Sequence, residues 1–370
     1  MINVLLLVIL AGIINGSYGT PTKYMKSWNH NLSWFTFSIF GFFILPFLTL
    51  FIIPDCLTLF HYLPIKLLIL IAVLSIIFGI GQILVAKSFS YIGLGLAFVI
   101  NISIGTIGAT LIPLLWTQGT NSTYLLLTFS GVALFLLAVI LGAVAGSIRD
   151  KNRSNTDSQT PEKTTKTIRG ILYAIAGGVG SALEGTAYIY SNPIISKATE
   201  HHIQISGFAI GTFTWILIFI LAGIPFIIYY FYASFKNNNF AMYKAKNAKI
   251  YWIYAFGMGL CFWISVLLYS KASLDVGGTL GPAIVWPMFM IIIIFTSNTW
   301  GFITGEWKEA KRSAVNYMKF SIVIFVLAII LFALSSKFNN SVINNTIYSK
   351  NKNVSSLKTL PHLKYSDNAV

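Results

Sequence analysis

Ile148-Arg-Asp-Lys-Asn-Arg-Ser-Asn-Thr-Asp-Ser-Gln-Thr-Pro-Glu-Lys-Thr-Thr-Lys-Thr167 is the longest polar break inside a chain that is otherwise dominated by apolar runs. Of 370 residues, 56% are hydrophobic and 9% charged, and the mean hydropathy is +0.76. A water-soluble domain needs about a quarter of its residues charged to coat its surface. A soluble enzyme is therefore excluded, and the lipid bilayer is the solvent. What the 148–167 break means depends on what lies on either side of it.

A helix needs roughly 20 predominantly apolar residues to cross about 30 Å of hydrocarbon. Five such runs precede the break, at 2–19, 32–53, 65–86, 91–115 and 123–147, and five follow it, at 170–191, 203–232, 250–270, 277–299 and 318–336. An odd number of crossings per half forces the second half into the membrane upside down relative to the first. That is the inverted-repeat layout of many secondary transporters. The expected fold class is an all-α integral membrane protein with ten transmembrane helices in two inverted five-helix repeats. Residues 1–147 form the first repeat, 148–169 a cytoplasmic linker, 170–336 the second repeat, and 337–370 an Asn/Ser/Lys-rich tail whose composition predicts disorder. An internal echo agrees: Lys87-Ser-Phe-Ser-Tyr-Ile-Gly93 resembles Lys271-Ala-Ser-Leu-Asp-Val-Gly277, and Gly16-Ser17 is mirrored by Gly180-Ser181.

Charge sets the orientation. The net charge of +15 does not describe a nucleic-acid-binding face, because the basic residues sit in short segments between apolar runs. Seventeen lysines and arginines fall on one side of the expected membrane and eight on the other, the eight including the five lysines of the tail. By the positive-inside rule the richer side is cytoplasmic and both termini are external, in the inner membrane. The first run lacks the preceding positive charge of a secretory signal peptide and reads as a retained helix. Cys56 and Cys261 have neither metal-ligand nor disulfide spacing, His201-His202 has no acidic or cysteine partner at ligand spacing, and no phosphate-cradling Gly-x-x-x-x-Gly-Lys loop occurs. No metal or cofactor is expected.

In a carrier the chemistry lies in polar groups at mid-membrane, which are costly unless they face a cavity or a partner. Of ten acidic residues, Glu184 alone lies well inside an apolar run. Gly177, Ser181, Glu184, Tyr188 and Ser191 recur at helical spacing and make one stripe of the sixth helix. A lone carboxyl at this depth is expensive as an ion and is the candidate proton carrier. The same stripe would arise if Glu184, protonated, only hydrogen-bonded a neighbouring helix. The first half adds Asn15, Gln82 and Asn101, whose amides offer donors and acceptors together and suit a polyhydroxylated ligand, or else join helices at around 0.6 kcal/mol each. Ser181, Tyr188 and Trp286 complete the candidate substrate set. Trp286 is bracketed by Gly281-Pro282 and Pro287, where a helix lining a cavity can forgo backbone bonds.

These residues carry a resemblance. Gly16-Ser-Tyr-Gly-Thr-Pro-Thr-Lys-Tyr-Met-Lys-Ser-Trp28, Ile44-Leu-Pro46, Ile53-Pro54, Phe78-Gly-Ile-Gly-Gln82, Tyr91-Ile-Gly-Leu-Gly95, the glycine-rich Ile102 to Pro113 and Gly305-Glu-Trp-Lys308 resemble the L-rhamnose/proton symporter family of the drug/metabolite transporter superfamily. The similarity is strongest over 1–115 and thin through the second half. It implies a ten-helix carrier taking up a deoxyhexose or related sugar with a proton. Three alternatives remain open: an exporter of another small metabolite on the same fold, a non-transporting sensor, and a membrane-embedded enzyme, although no pair of His, Asp or Cys is positioned at one membrane face for catalysis. The sequence leaves the sugar, the coupling ion and the oligomeric state open.

Overall fold

Hydropathy marks only the part of a helix that sits in hydrocarbon, so helices in the computed structural model run past the apolar runs that announce them. The structure describes residues 2–358 apart from 54–55, 93, 116–121, 154–160, 204, 247, 277–279, 306 and 309. Asp55, Gly93, Asp157, Gly277, Glu306, Glu309, the centre of the 148–169 connector and residues 359–370 lie outside the described residues. The elements are α1 (Ile2–Ser17), α2 (His30–Ser38), α3 (Leu45–Ile52), α4 (Cys56–Tyr62), α5 (Ile65–Ile92), α6 (Leu94–Leu115), α7 (Ser122–Arg153), α8 (Pro161–Ile189), α9 (Ser191–Glu200), α10 (Gly207–Lys236), α11 (Ala248–Val276), α12 (Leu280–Ile303) and α13 (Arg312–Lys358).

The described residues are all-helical, and eight helical stretches among them are long and apolar enough to cross a membrane. They are Ile2–Tyr24, His30–Ile52, Ile65–Ser88, Ser122–Arg149, Gly207–Lys236, Ala248–Val276, Ile284–Ile303 and Arg312–Ser335. The chain is therefore a multi-pass membrane protein. Large apolar side chains such as Ile253, Phe320 and Ile228 point outward along these stretches, which is how a helix meets acyl chains. His30–Ile52 is not a plain α-helix: a π-helical turn over Ile39–Ile44 joins α2 to α3. There Gly259 of α11 lies so close to Phe40 and Gly41 that no side chain would fit between them.

Two expected spans lie outside these eight. The fourth lies in α6, which includes the apolar helix Val99–Ile112. The sixth lies in α8, which carries several glycines, Ser181 and Glu184 and falls short of the apolarity of the other eight. The reason is in the packing: α8 runs along α5 and α6, and a helix shielded by neighbours need not be coated for lipid. At the polar ends, α7 extends to Arg153 and α8 begins at Pro161, so helix enters the 148–169 connector from both sides. Likewise α13 continues to Lys358, through much of the segment whose composition predicts disorder. Once an apolar span has nucleated a helix, each further residue adds a hydrogen bond.

Three groups of contacts organise the bundle. Helix α1 packs on α11 and α12, α8 packs on α5 and α6, and α7 packs on α13. The α7–α13 pair is antiparallel and made of small and hydroxyl residues. Thr128 and Ser335 share a hydrogen bond of 2.6 Å, the Ser321 hydroxyl donates to the Ala138 carbonyl at 2.7 Å, and Phe332 fills the space beside Gly131. Between the groups lies an aromatic core from α10 and α11, with Trp215, Phe219, Tyr230 and Tyr269 all fully buried.

Candidate functional site

Glycine decides how closely α8 is approached. A Cβ on Gly177 would meet the Val85 side chain at 2.0 Å, and one on Gly178 would meet Ile104 at 2.7 Å. With backbones this near, short polar side chains reach across. The Gln82 amide donates to the Ser181 hydroxyl at 3.2 Å, and that hydroxyl donates to Asn101 Oδ1 at 3.4 Å. Helices α5, α8 and α6 are thus linked through one serine.

Glu184 follows Ser181 on the same face. It is 8% exposed, and no hydrogen bond or ion pair holds its carboxyl to a described residue. That is a costly arrangement for a permanent ion, since a buried carboxylate loses several kcal/mol of hydration unless partners replace it. One turn further, the Tyr188 hydroxyl shares a hydrogen bond of 2.9 Å with Ser270. The Tyr188 ring stacks on Trp215, with centroids 4.6 Å apart and planes at 16°. Trp215 stacks in turn on Phe219 at 5.1 Å, Phe219 meets Phe262 at 4.9 Å, and Phe262 meets Tyr18 at 5.6 Å. A continuous aromatic wall therefore leads from one turn beyond Glu184 back to Tyr18. Such a wall lowers polarity around the carboxyl and offers flat faces to the apolar side of a ligand.

The α1 crossing has a parallel construction. The Asn15 amide donates to the Ser265 hydroxyl at 2.7 Å, and a Cβ on Gly12 would meet Ile292 of α12 at 2.5 Å. Both Asn15 and Ser265 are buried. Among the described residues no group of three or more His, Cys, Asp or Glu is gathered closely enough to hold a metal ion. His201 lies flat against Tyr62, with centroids 4.4 Å apart.

No family model matches the sequence. Curated proteins do: the L-rhamnose-proton symporters of Citrobacter koseri, Klebsiella pneumoniae subsp. pneumoniae and Mannheimia succiniciproducens are each 22% identical to it, over 325, 329 and 323 residues. Each alignment covers 83% of this chain and 90% of the relative. The chain is a distant homologue of this symporter family.

Of the residues expected from sequence to serve a symporter site, Gln82, Asn101 and Ser181 come together with Glu184 one turn away. Asn15 joins Ser265 at a separate crossing, outside that hydrogen-bonded set. Tyr188 and Trp286 both border Tyr269, at ring distances of 5.7 and 5.5 Å. They are 1% and 5% exposed, so their rings are packed by protein. Trp263 has its indole N–H committed to Thr49 at 2.8 Å. Sequence reasoning missed Tyr18, Trp215, Ser265, Tyr269 and Ser270. Tyr18 alone had a usable signal: it stands three residues after Asn15, as Glu184 stands three after Ser181.

Proposed function

We propose that the chain is a secondary carrier of the inner membrane that takes up a sugar, such as L-rhamnose or a related monosaccharide, together with protons. The observation that carries this reading is Glu184: a nearly buried carboxyl with no hydrogen bond or ion pair to a described residue, beside a polar cluster and an aromatic wall, in a chain related to proton symporters. Protonated, the carboxyl is neutral and the buried arrangement seen here tolerates it. Ionised, it demands water or donors, which favours an arrangement open to one side. Linking the proton to a sugar held by the Gln82–Ser181–Asn101 cluster would let the proton's descent, worth about 2.3 kcal/mol per 100 mV, drive accumulation.

The architecture proposed with it is ten spans in two inverted five-helix repeats, with both termini external. The contact pattern supports this reading. Exchanging the halves carries α1 on α11 and α12 into α8 on α5 and α6, and carries the α7–α13 pair into itself. The match extends to residues. The contact of Gly12 with Ile292 corresponds to Gly178 with Ile104, Gly16 with Thr296 corresponds to Ala182 with Gly108, and the Asn15–Ser265 bond corresponds to Ser181–Gln82. This register runs two residues away from the Gly16-Ser17 and Gly180-Ser181 echo in the sequence. The deciding experiment is uptake of labelled monosaccharides, L-rhamnose first, into proteoliposomes under an imposed pH gradient. Gradient-dependent accumulation is expected. Its absence for every monosaccharide tried, with uptake of another metabolite into inverted vesicles, would assign the chain to export.

A further inference from the structure

Three loops meet at one end of the bundle. The indole N–H of Trp28, in the 18–29 loop, donates to the Met242 carbonyl of the 237–247 loop at 3.1 Å. The Lys23 ammonium donates to the Thr304 hydroxyl, just past the end of α12, at 3.0 Å. This end is strongly basic: residues 18–29, 236–249 and 304–312 carry nine lysines and arginines and two glutamates. Between the ends of α1, α11 and α12 it opens into a cleft of about 400 Å³, lined by Ser17, Thr20, Pro21, Tyr24, Tyr254 and Trp300. The cleft shares no residue with the Glu184 region.

Its lining offers hydrogen-bond donors and no acid. The Trp300 indole N–H is used on Ser17 at 2.8 Å, but the hydroxyls of Thr20, Tyr24 and Tyr254 have no hydrogen-bond partner among the described residues. Lys23 stands at the rim. It precedes Tyr24 in the chain, and its partner Thr304 lies one turn beyond Trp300, donating to the Trp300 carbonyl at 2.8 Å. Tyr254 is two turns into α11 and Trp300 one turn short of the end of α12, which is headgroup depth for a spanning helix. Deeper in, the surface is apolar and hollow. Gly257 has nothing within 4 Å of the place a Cβ would take, and Leu10 and Ile13 of α1 and Ile253 of α11 are exposed.

We propose that this cleft seats the headgroup of an anionic phospholipid such as phosphatidylglycerol. The Lys23 ammonium and the Thr20 hydroxyl hold the phosphate, the Tyr24 and Tyr254 hydroxyls serve the glycerol oxygens, and an acyl chain descends past Gly257. Charge-assisted hydrogen bonds suit such a cluster of donors to a phosphate. Basic pockets between helices at the cytoplasmic surface, the side on which the charge rule puts this end, are where anionic headgroups gather. A free anion would meet the same donors, but only a lipid uses the hollow beneath them and the rings at the polar–apolar boundary. The assignment depends neither on Glu184 nor on sugar uptake.

The test is thermal melting of the purified full chain in detergent, titrated with dioleoyl phosphatidylglycerol, dioleoyl phosphatidylcholine or inorganic phosphate. Phosphatidylglycerol should raise the melting temperature saturably, and the other two should leave it in place. Lys23→Gln should melt with the parent when no lipid is added. Its half-saturating phosphatidylglycerol concentration should rise about fivefold, the size of one lysine contact with an anionic lipid surface. Lys246→Gln, on the adjoining loop outside the cleft, should not move it. In the parent, hydrogen–deuterium exchange over the turn Thr20–Tyr24 should slow on adding phosphatidylglycerol, a readout that needs no variant. Equal stabilisation by phosphatidylcholine or phosphate, equal displacement by Lys246→Gln, or unchanged exchange at Thr20–Tyr24 overturns the assignment.

Discussion

The crossings centred on α1 and on α8 are built alike and equipped differently. Each rests a glycine against an isoleucine of a neighbouring helix, at 2.5 Å for a Cβ on Gly12 and 2.7 Å for one on Gly178. Each spans a second interface with one short polar bond, Asn15 to Ser265 or Gln82 to Ser181. One turn on they part: α1 ends in Tyr18, a phenol, and α8 carries Glu184, a carboxyl. Packing geometry can thus be held constant while one position changes from a group that only donates and accepts hydrogen bonds to one that gains and loses charge.

The largest test of that difference is Glu184→Gln. If the carboxyl carries the coupled proton, gradient-driven accumulation at 100 mV should fall roughly fiftyfold, the equivalent of about 2.3 kcal/mol, while sugar counterflow continues. An unchanged accumulation ratio would make Glu184 structural and erase the distinction from α1. Next in size come the glycines. Gly12→Ala and Gly178→Ala should each cost about 1–3 kcal/mol of stability through overpacking, with similar falls in melting temperature in detergent. Gly257→Ala, with open space beside it, should be neutral or slightly stabilising. Markedly unequal losses at 12 and 178 would break the correspondence of the crossings.

Smaller effects separate glue from site. Double-mutant cycles on Asn15/Ser265 and on Gln82/Ser181 should return coupling energies near 0.6 kcal/mol in thermal denaturation, as for interhelical bonds generally. Only the second pair should also weaken sugar binding, read from the concentration dependence of uptake. The smallest effects lie at the exposed ends. Lys23 donates to Thr304 at 3.0 Å, and Lys197 bridges to Glu200 at 2.6 Å. The Lys197 hydrogen bond and charge hold Glu200 below the usual carboxylate range, so whatever that pair contributes is present above the ordinary glutamate pKa and is lost as the pH falls through the depressed one. Exposed pairs contribute little, and Lys23→Ala and Lys197→Ala should melt with the parent at neutral pH.

Apolar length made the spans legible in the sequence, because lipid imposes it on every helix it touches. The same rule relaxes for α8, which falls short of the apolarity of the other eight spans because α5 and α6 shield it and its glycines serve contact, not hydration. Helical spacing also marked the Ser181–Glu184–Tyr188 face. It could not name what stands opposite that face. Trp215, Ser265, Tyr269 and Ser270 lie on α10 and α11, in runs so uniformly apolar and aromatic that no periodicity singles out one side. Tyr18 was hidden differently: it sits at the end of its apolar run, where a tyrosine reads as an ordinary interfacial ring.

The α7–α13 seam has a consequence for how the gene product can be divided. Thr128, Gly131 and Gly142 precede the 148–167 break and Ser335, Phe332 and Ser321 follow it, so the segments before and after it are joined by side chains of α7 and α13 as well as by the chain itself. Two separate polypeptides, co-translated and meeting in the same bilayer, would already carry the interlock needed to find each other and rebuild the whole.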